Sequence, residues 1–264
     1  MMSFNVATEE YISRAKKGVI EIVKALKAYG CFDPSVFFKL LDAQIVPSLL
    51  YASELWGFEE NKRIEQVHLY ACKLFLNVPT RTPNDMIYGD LGRYPLWVDS
   101  AARCIQYWLK LLKQNNFRYS KMAYLALLNM TERGRVNWVT KVKVLLCDNG
   151  FGLVWLFGQV SNEKQFIRAF KERLQSNFSH RWFVHTQESM RYNPYNSFKD
   201  CIGCELYVGT IKVKIYRTAF TRLRMGMSPF NTHRHRYSPN EDNRNCPMCP
   251  GELDDELHVI FHCP

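Results

Sequence analysis

The last nineteen residues, CPMCPGELDDELHVIFHCP, hold three cysteines and two histidines. Cys246 and Cys249 form a C-x2-C pair, the separation at which one tight turn brings two thiolates to a single metal ion. His258, His262 and Cys263 follow. Zinc favours four soft or borderline ligands in a tetrahedron, and a closed set of four implies a structural rather than a catalytic site. Cys263 closes the pattern C-x2-C-x8-H-x4-C, and His262 closes C-x2-C-x8-H-x3-H; only one of them is needed. Pro247, Pro250 and Gly251 suit a reversal of the backbone. LDDELHVIFHC then reads as a short helix with Asp254 or Asp255 near its start. Together these features describe a compact zinc knuckle.

Other chemical candidates are weaker. Cys201 and Cys204 form a second C-x2-C pair, but 28 residues separate Cys204 from His233, and His235 lies beyond it, which is not a compact ligand spacing. GDLGR lacks the lysine and the serine or threonine of a phosphate-binding loop. Asp85, Asp90 and Asp148 are too scattered to be paired from sequence, and no nucleophile stands with a base. Cys31, Cys72, Cys104 and Cys147 sit singly in apolar segments and read as reduced core residues.

Charge adds a partner class. The net charge is +10, and from Tyr207 to Asn245 there are eight Lys or Arg against Glu241 and Asp242. The knuckle has four acids and no Lys or Arg. A basic stretch leading into a metal module suits a polyanion, and its candidate contacts are Lys212, Lys214, Arg217, Arg222, Arg224, Arg234 and Arg236.

The elements that must position these groups read as helices. At 264 residues, with 47% hydrophobic and 23% charged residues, the chain can bury a sizeable core. Tyr11, Ala15, Val19, Ile22, Val23 and Leu26 mark one apolar face, and Gly30 stops it. Asp33-Pro34 opens a second helix through Phe37, Leu40, Leu41 and Ile45, which Pro47 should kink. A third runs from Asn61 to Asn77 with Ile64, Val67, Ala71, Leu74 and Phe75 inward. NVPTRTPNDMIYGDLGRYP reads as a loop-rich boundary. Ala101, Ile105, Trp108, Leu109 and Leu112 define a long helix. Segments near 120–130, 137–149 and 162–178 follow, then an irregular HTQESMRYNPYNSFKDCIGC. Val208, Ile211, Ile215, Ala219, Phe220 and Leu223 restore helical spacing with an inward apolar face. The fold class is mainly α, without βαβ alternation. No apolar run approaches the ~20 residues of a membrane helix, and no secretory signal opens the chain, so an intracellular location, the nucleus included, is expected.

The order LLDAQIVPSLLYASELWGF, YACKLFLNVPTRTPNDMIYGDLGRYPLWVDSAARCIQYWLKLL and YRTAFTRLRMGMSPFNTHRHRY before the knuckle resembles the C-terminal half of non-LTR (LINE-type) retrotransposon reverse transcriptases, from about Tyr11 to Pro264. The resemblance implies a thumb-like helical region over 1–78, a helical linker over 79–196, a basic helix and loop over 197–245 and a zinc knuckle over 246–264. Its knuckle ligands carry over to Cys246, Cys249, His258 and Cys263. It further implies binding of RNA or DNA and no membrane. Asp90 stands where related sequences commonly have Glu. The aromatic-x-Asp-Asp turn of the polymerase palm is absent, because Asp254-Asp255 has no aromatic residue two positions before it, so no polymerase chemistry and no catalytic residue are expected. The chain looks like a detached remnant of such an enzyme. A protein-interaction adaptor with a structural knuckle is the alternative.

Overall fold

The fold is that of a computed structural model, which describes residues 5–30, 32–235 and 244–264, with side chains from residue 9 onward. Among the described residues the chain is helical, and no strand forms. No helix there is long and apolar enough to cross a membrane. The helices are α1 (Asn5–Ala28), α2 (Pro34–Leu40), α3 (Val46–Leu49), α4 (Ser53–Trp56), α5 (Lys62–Leu76), α6 (Asn84–Leu91) and α7 (Trp97–Lys113). After them come α8 (Tyr119–Glu132), α9 (Trp138–Asp148), α10 (Gly152–Phe157), α11 (Glu163–Glu188), α12 (Leu206–Thr210), α13 (Lys214–Arg224) and α14 (Asn231–His235). They form two compact units. The first takes the described residues of Met1–Val19, Leu41–His68 and Tyr94–Arg181; the second takes those of Ile20–Leu40, Leu69–Arg93 and Trp182–Pro264. The units interleave along the chain, so they do not follow the linear division at residues 78, 196 and 245.

The first unit is organised by α7, whose Val98, Ala101, Cys104, Ile105, Trp108 and Leu109 are buried with Val139, Val142 and Leu146 of α9 and Phe170 and Leu174 of α11. The spacing places these apolar residues on one face, and the helix buries it. At the start of α7 the buried Glu65 accepts from the Leu96 amide at 2.8 Å and pairs with His68 at 2.7 Å, placing a negative charge at a helix N-terminus. Helix α9 begins with a reciprocal cap, the Asn137 side chain accepting from Val139 and Thr140 amides while Thr140 accepts from the Asn137 amide. Pro47 does more than kink its helix. A wide π-turn over Leu41–Ile45 precedes it, and Pro47 sits in the first turn of α3, where its missing N–H costs nothing.

Several expected features change. Ile12, not Tyr11, faces inward on α1. Cys72 and Cys104 are buried, the Cys104 thiol pushed up to about 12 by burial, but Cys147 is exposed and Cys31 lies outside the described residues. The expected loop at 77–95 contains α6, which ends on Gly92 in the left-handed conformation. Its signals, Pro83 before the helix and Gly92 after it, are hidden by their neighbours Pro79 and Gly89.

Helix α6 carries the centre of the second unit. Asp90 has no exposed surface. Tyr195 donates to Oδ1 at 2.9 Å, Tyr207 donates to Oδ2 at 2.7 Å, and Arg224 lies 3.4 Å from Oδ2. Burial, with the adjacent Asp90 charge, pushes both tyrosines well above their ordinary range. The carbonyls of Gly89 and Asp90 accept from the amides of Gly203 (3.2 Å) and Glu205 (2.9 Å), pairing the end of α6 with the 203–205 segment. Glu205 in turn binds Arg224 at 3.1 Å and the buried Lys199. A Cβ at Gly89 would run into the Tyr195 hydroxyl and the Trp182 ring. The stretch expected to be an irregular linker is thus tied down: α11 runs to Glu188, and Tyr192 and Tyr195 are buried.

Removing one partner of a buried, hydrogen-bonded charge is far more costly than removing one neutral donor. Asp90→Asn is expected to lose about 3–5 kcal/mol of stability, and Tyr207→Phe about 1–1.5 kcal/mol. Urea unfolding of the two variants checks the order, and equal losses would contradict it.

Candidate metal centre

The C-terminal nineteen residues fold into two short pieces whose backbone brings four side chains together. Cys246–Gly251 reverses the chain: the Cys246 amide donates to the Glu252 carbonyl at 2.8 Å, the Glu252 amide donates to the Cys249 carbonyl at 3.2 Å, and Gly251 takes φ +90°. Asp255 then caps the last turn, its Oδ1 accepting from the His258 amide at 2.9 Å. From His258 to His262 the chain makes a wide π-turn, closed by the Cys263 amide on the His258 carbonyl at 2.7 Å. In such a turn residues five apart, rather than four, return to the same side. His258 and Cys263 therefore share a face.

The ligand atoms of Cys246, Cys249, His258 and Cys263 all lie within 4.8 Å of one another, and the Cys246 and Cys263 sulfurs are 3.9 Å apart. This cluster is able to bind a metal ion. His262 is exposed and is not part of it. Two properties fit a cation. His258 is buried, yet its Nε2 has no hydrogen-bond partner in the protein, and a buried polar atom without a partner is costly. The three thiols also cannot all ionise together without a counter-charge. Burial and then the two neighbouring thiols push Cys263 up to about 11, whereas Cys246, against its own burial, is drawn down to about 7 by the amides of Met248 and Cys249. A cation among them removes that conflict.

Three of the module's four acids make structural contacts. Asp254 is buried; its Oδ2 accepts from the Asn231 amide at 2.7 Å, and its carbonyl accepts from the Thr232 hydroxyl at 2.7 Å, so it caps α14. Glu256 holds the buried His233 at 2.6 Å. His233 is thereby committed to this contact rather than to Cys201 and Cys204, both of which are exposed and join no ligand cluster among the described residues.

The predicted basic contacts divide sharply. Arg217 is only 2% exposed: it lies 4.8 Å over the Phe75 ring and 5.7 Å from that of Phe32, and donates to the Phe32 carbonyl at 3.0 Å. Burial pulls its guanidinium below the ordinary value. Arg224 is held by Asp90 and Glu205 and stacks 4.6 Å over Phe198. Both are interior residues and are removed from the list of phosphate contacts, because burying a charge demands partners and these have them. Arg222 donates twice to the Asn77 carbonyl, at 3.0 and 2.8 Å. Lys212 remains 72% exposed beside Asp33, whose carboxyl is lowered to about 2 by Ser35 and then by Lys212. Lys214 is half-buried over Phe32, Arg234 is exposed, and Arg236 lies outside the described residues.

This division follows from the orientation of α13, which is inverted from the expected one. Arg217, Thr218 and Thr221 are buried, while Ile215, Tyr216 and Phe220 are exposed. The expected single run from Val208 also breaks, into α12 and α13. In the first unit, a groove of about 930 Å³ beside α9 and α11 holds Lys141, His180 and Arg181, with Lys141 paired to Glu59 at 3.2 Å. No protein-family model, curated protein or solved structure matches the chain.

The chain is expected to hold one metal ion and to lose it in Cys263→Ser but not in His262→Ala, measured as metal per protein after gel filtration. Thiolate ligands must shed protons to bind, so retention should fall as the pH is lowered. Retention in Cys263→Ser with loss in His262→Ala would reverse the ligand set.

Proposed function

We propose that the chain is a zinc-containing nucleic-acid-binding module without polymerase chemistry, akin to the C-terminal part of a non-LTR retrotransposon reverse transcriptase. Three thiolates and one imidazole are a ligand set that zinc favours, and its role here is to hold structure. Cys246, Cys249, His258 and Cys263 would hold the ion, which would crosslink the Cys246–Cys249 turn to the His258–Cys263 turn. The residues around it do the positioning: Asp254 caps α14, and Glu256 holds His233.

The observation that carries the nucleic-acid reading is a gathering of like charges in the second unit. Lys214 is drawn below its ordinary value by burial and then by the neighbouring cations Lys27 and Arg217. No Asp or Glu occurs from Leu206 to His235. Cations that crowd one another at a protein surface suit a phosphate chain, whose binding relieves the repulsion. With a formal charge of −1 on a three-thiolate zinc site and four acids beside it, the metal module repels phosphates. The grip therefore falls to Lys27, Lys212 and Lys214, with Arg234 presented by the clamped α14. The aromatic-x-Asp-Asp carboxylates that two-metal nucleotidyl transfer would use are absent from the sequence.

Titration of single-stranded RNA, duplex DNA and a hybrid at two salt concentrations tests this. Affinity should fall steeply with salt, and the triple variant Lys27→Gln, Lys212→Gln, Lys214→Gln should reduce the slope of log K against log salt by roughly 2–3, near 0.7–0.9 per phosphate contact. Salt-independent binding, or an unchanged slope in the triple variant, would contradict the assignment. A second reading, a protein adaptor, is favoured by one observation: the outward apolar side of α13.

A further inference from the structure

Helix α13 spends its polar face on the interior, which leaves a row of large apolar side chains outside. Ile215 is 70% exposed and Tyr216 67%; Val213 is exposed as well, and Phe220 is partly covered by the Tyr207 ring at 4.9 Å. The charge around this face is mainly positive: Lys214 and Arg222 lie in a stretch without acids, and Lys212 is paired with Asp33. The metal module has the converse surface. Leu257, Ile260 and Phe261 on its last turn are exposed, Phe261 to 70%. Glu252, Asp255 and Glu256 stand with them, and no Lys or Arg follows Arg244. Both patches consist of side chains that ordinarily seek cover.

We propose that the outward face of α13 receives the metal module of a second copy of this chain. Apolar contact supplies the attraction, and the opposite charges of the two rims set the pairing. The charges also decide against the simpler arrangement in which α13 packs on its own symmetry mate, because that would bring Lys212, Lys214 and Arg222 of one copy against the same cations of the other. In a two-fold dimer each copy would give one patch and receive the other. The proposal requires a folded metal module but is independent of nucleic-acid binding, so a failed titration with RNA or DNA leaves it standing.

Sedimentation equilibrium of the zinc-loaded chain tests it, with Tyr216→Glu and Phe261→Glu as variants. Both side chains are exposed, so zinc content and unfolding midpoint should stay at wild-type values. The wild type should dimerise, more weakly as salt rises, and each variant alone should dimerise at least about tenfold more weakly. An equimolar mixture of the two variants should recover a dimer through the one pairing that remains intact. A monomeric wild type overturns the proposal, as does a Phe261→Glu variant that dimerises normally. The latter is the result expected if α13 packed against α13; a mixture that fails to recover overturns the proposal too. Ile215→Glu serves in place of Tyr216→Glu should the latter lose zinc or unfold early.

Discussion

A buried carboxylate cannot stand alone, and the second unit is arranged around that constraint. Asp90 lies on a short helix with no access to water, so its charge has to be met from within the protein. Tyr195, Tyr207 and Arg224 meet it, and they come from three separate segments of the later chain. Each of those segments is drawn onto α6 as a result. Gly89 makes the approach possible, because any side chain there would occupy the place of the Tyr195 hydroxyl. Asp90 is therefore best understood as the hub of a packing network.

The orientation of α13 follows from the same requirement. Arg224 is needed at Asp90, and Arg217, two turns earlier, is needed between aromatic rings where two carbonyls take its protons. Once two arginines face inward, the threonines beside them do as well, and Thr221 satisfies its hydroxyl on the Arg217 carbonyl at 2.7 Å. The polar interior is permissible because its donors are matched. The apolar residues are left on the outside by geometry, since a helix has only one inward face.

This explains which parts of the molecule were legible in the residues. The metal centre was local: a turn, a cap and one more turn, all within nineteen positions, so spacing alone brought Cys246, Cys249 and His258 together. What spacing could not decide was Cys263 against His262, because that depends on whether the last turn is wound as an α- or a π-helix. Helix α7, with its single apolar stripe, was equally plain; α9 was the weaker signal. Helix α6 was not, because it is buried on every side and shows no stripe, and its bounding prolines and glycines look like a loop. Helix α13 has a clear stripe that points the wrong way. Its inward partners, Asp90, Phe32 and Phe75, lie more than a hundred residues away, and nothing in the local pattern announces them.

The π-turn at His258–His262 has a consequence for how the motif could vary. It takes up one residue more than an α-turn while returning the chain to the same face. A chain shortened by one residue between His258 and Cys263 could make that return with an ordinary α-turn and keep the same three sulfurs and one nitrogen at the same point in space. The length of this segment and the identity of its ligands are thus separable, and insertion or deletion of a single residue is absorbed by the winding of the helix. A pattern that fixes the number of residues between histidine and cysteine describes only one of two chain lengths able to build the same centre.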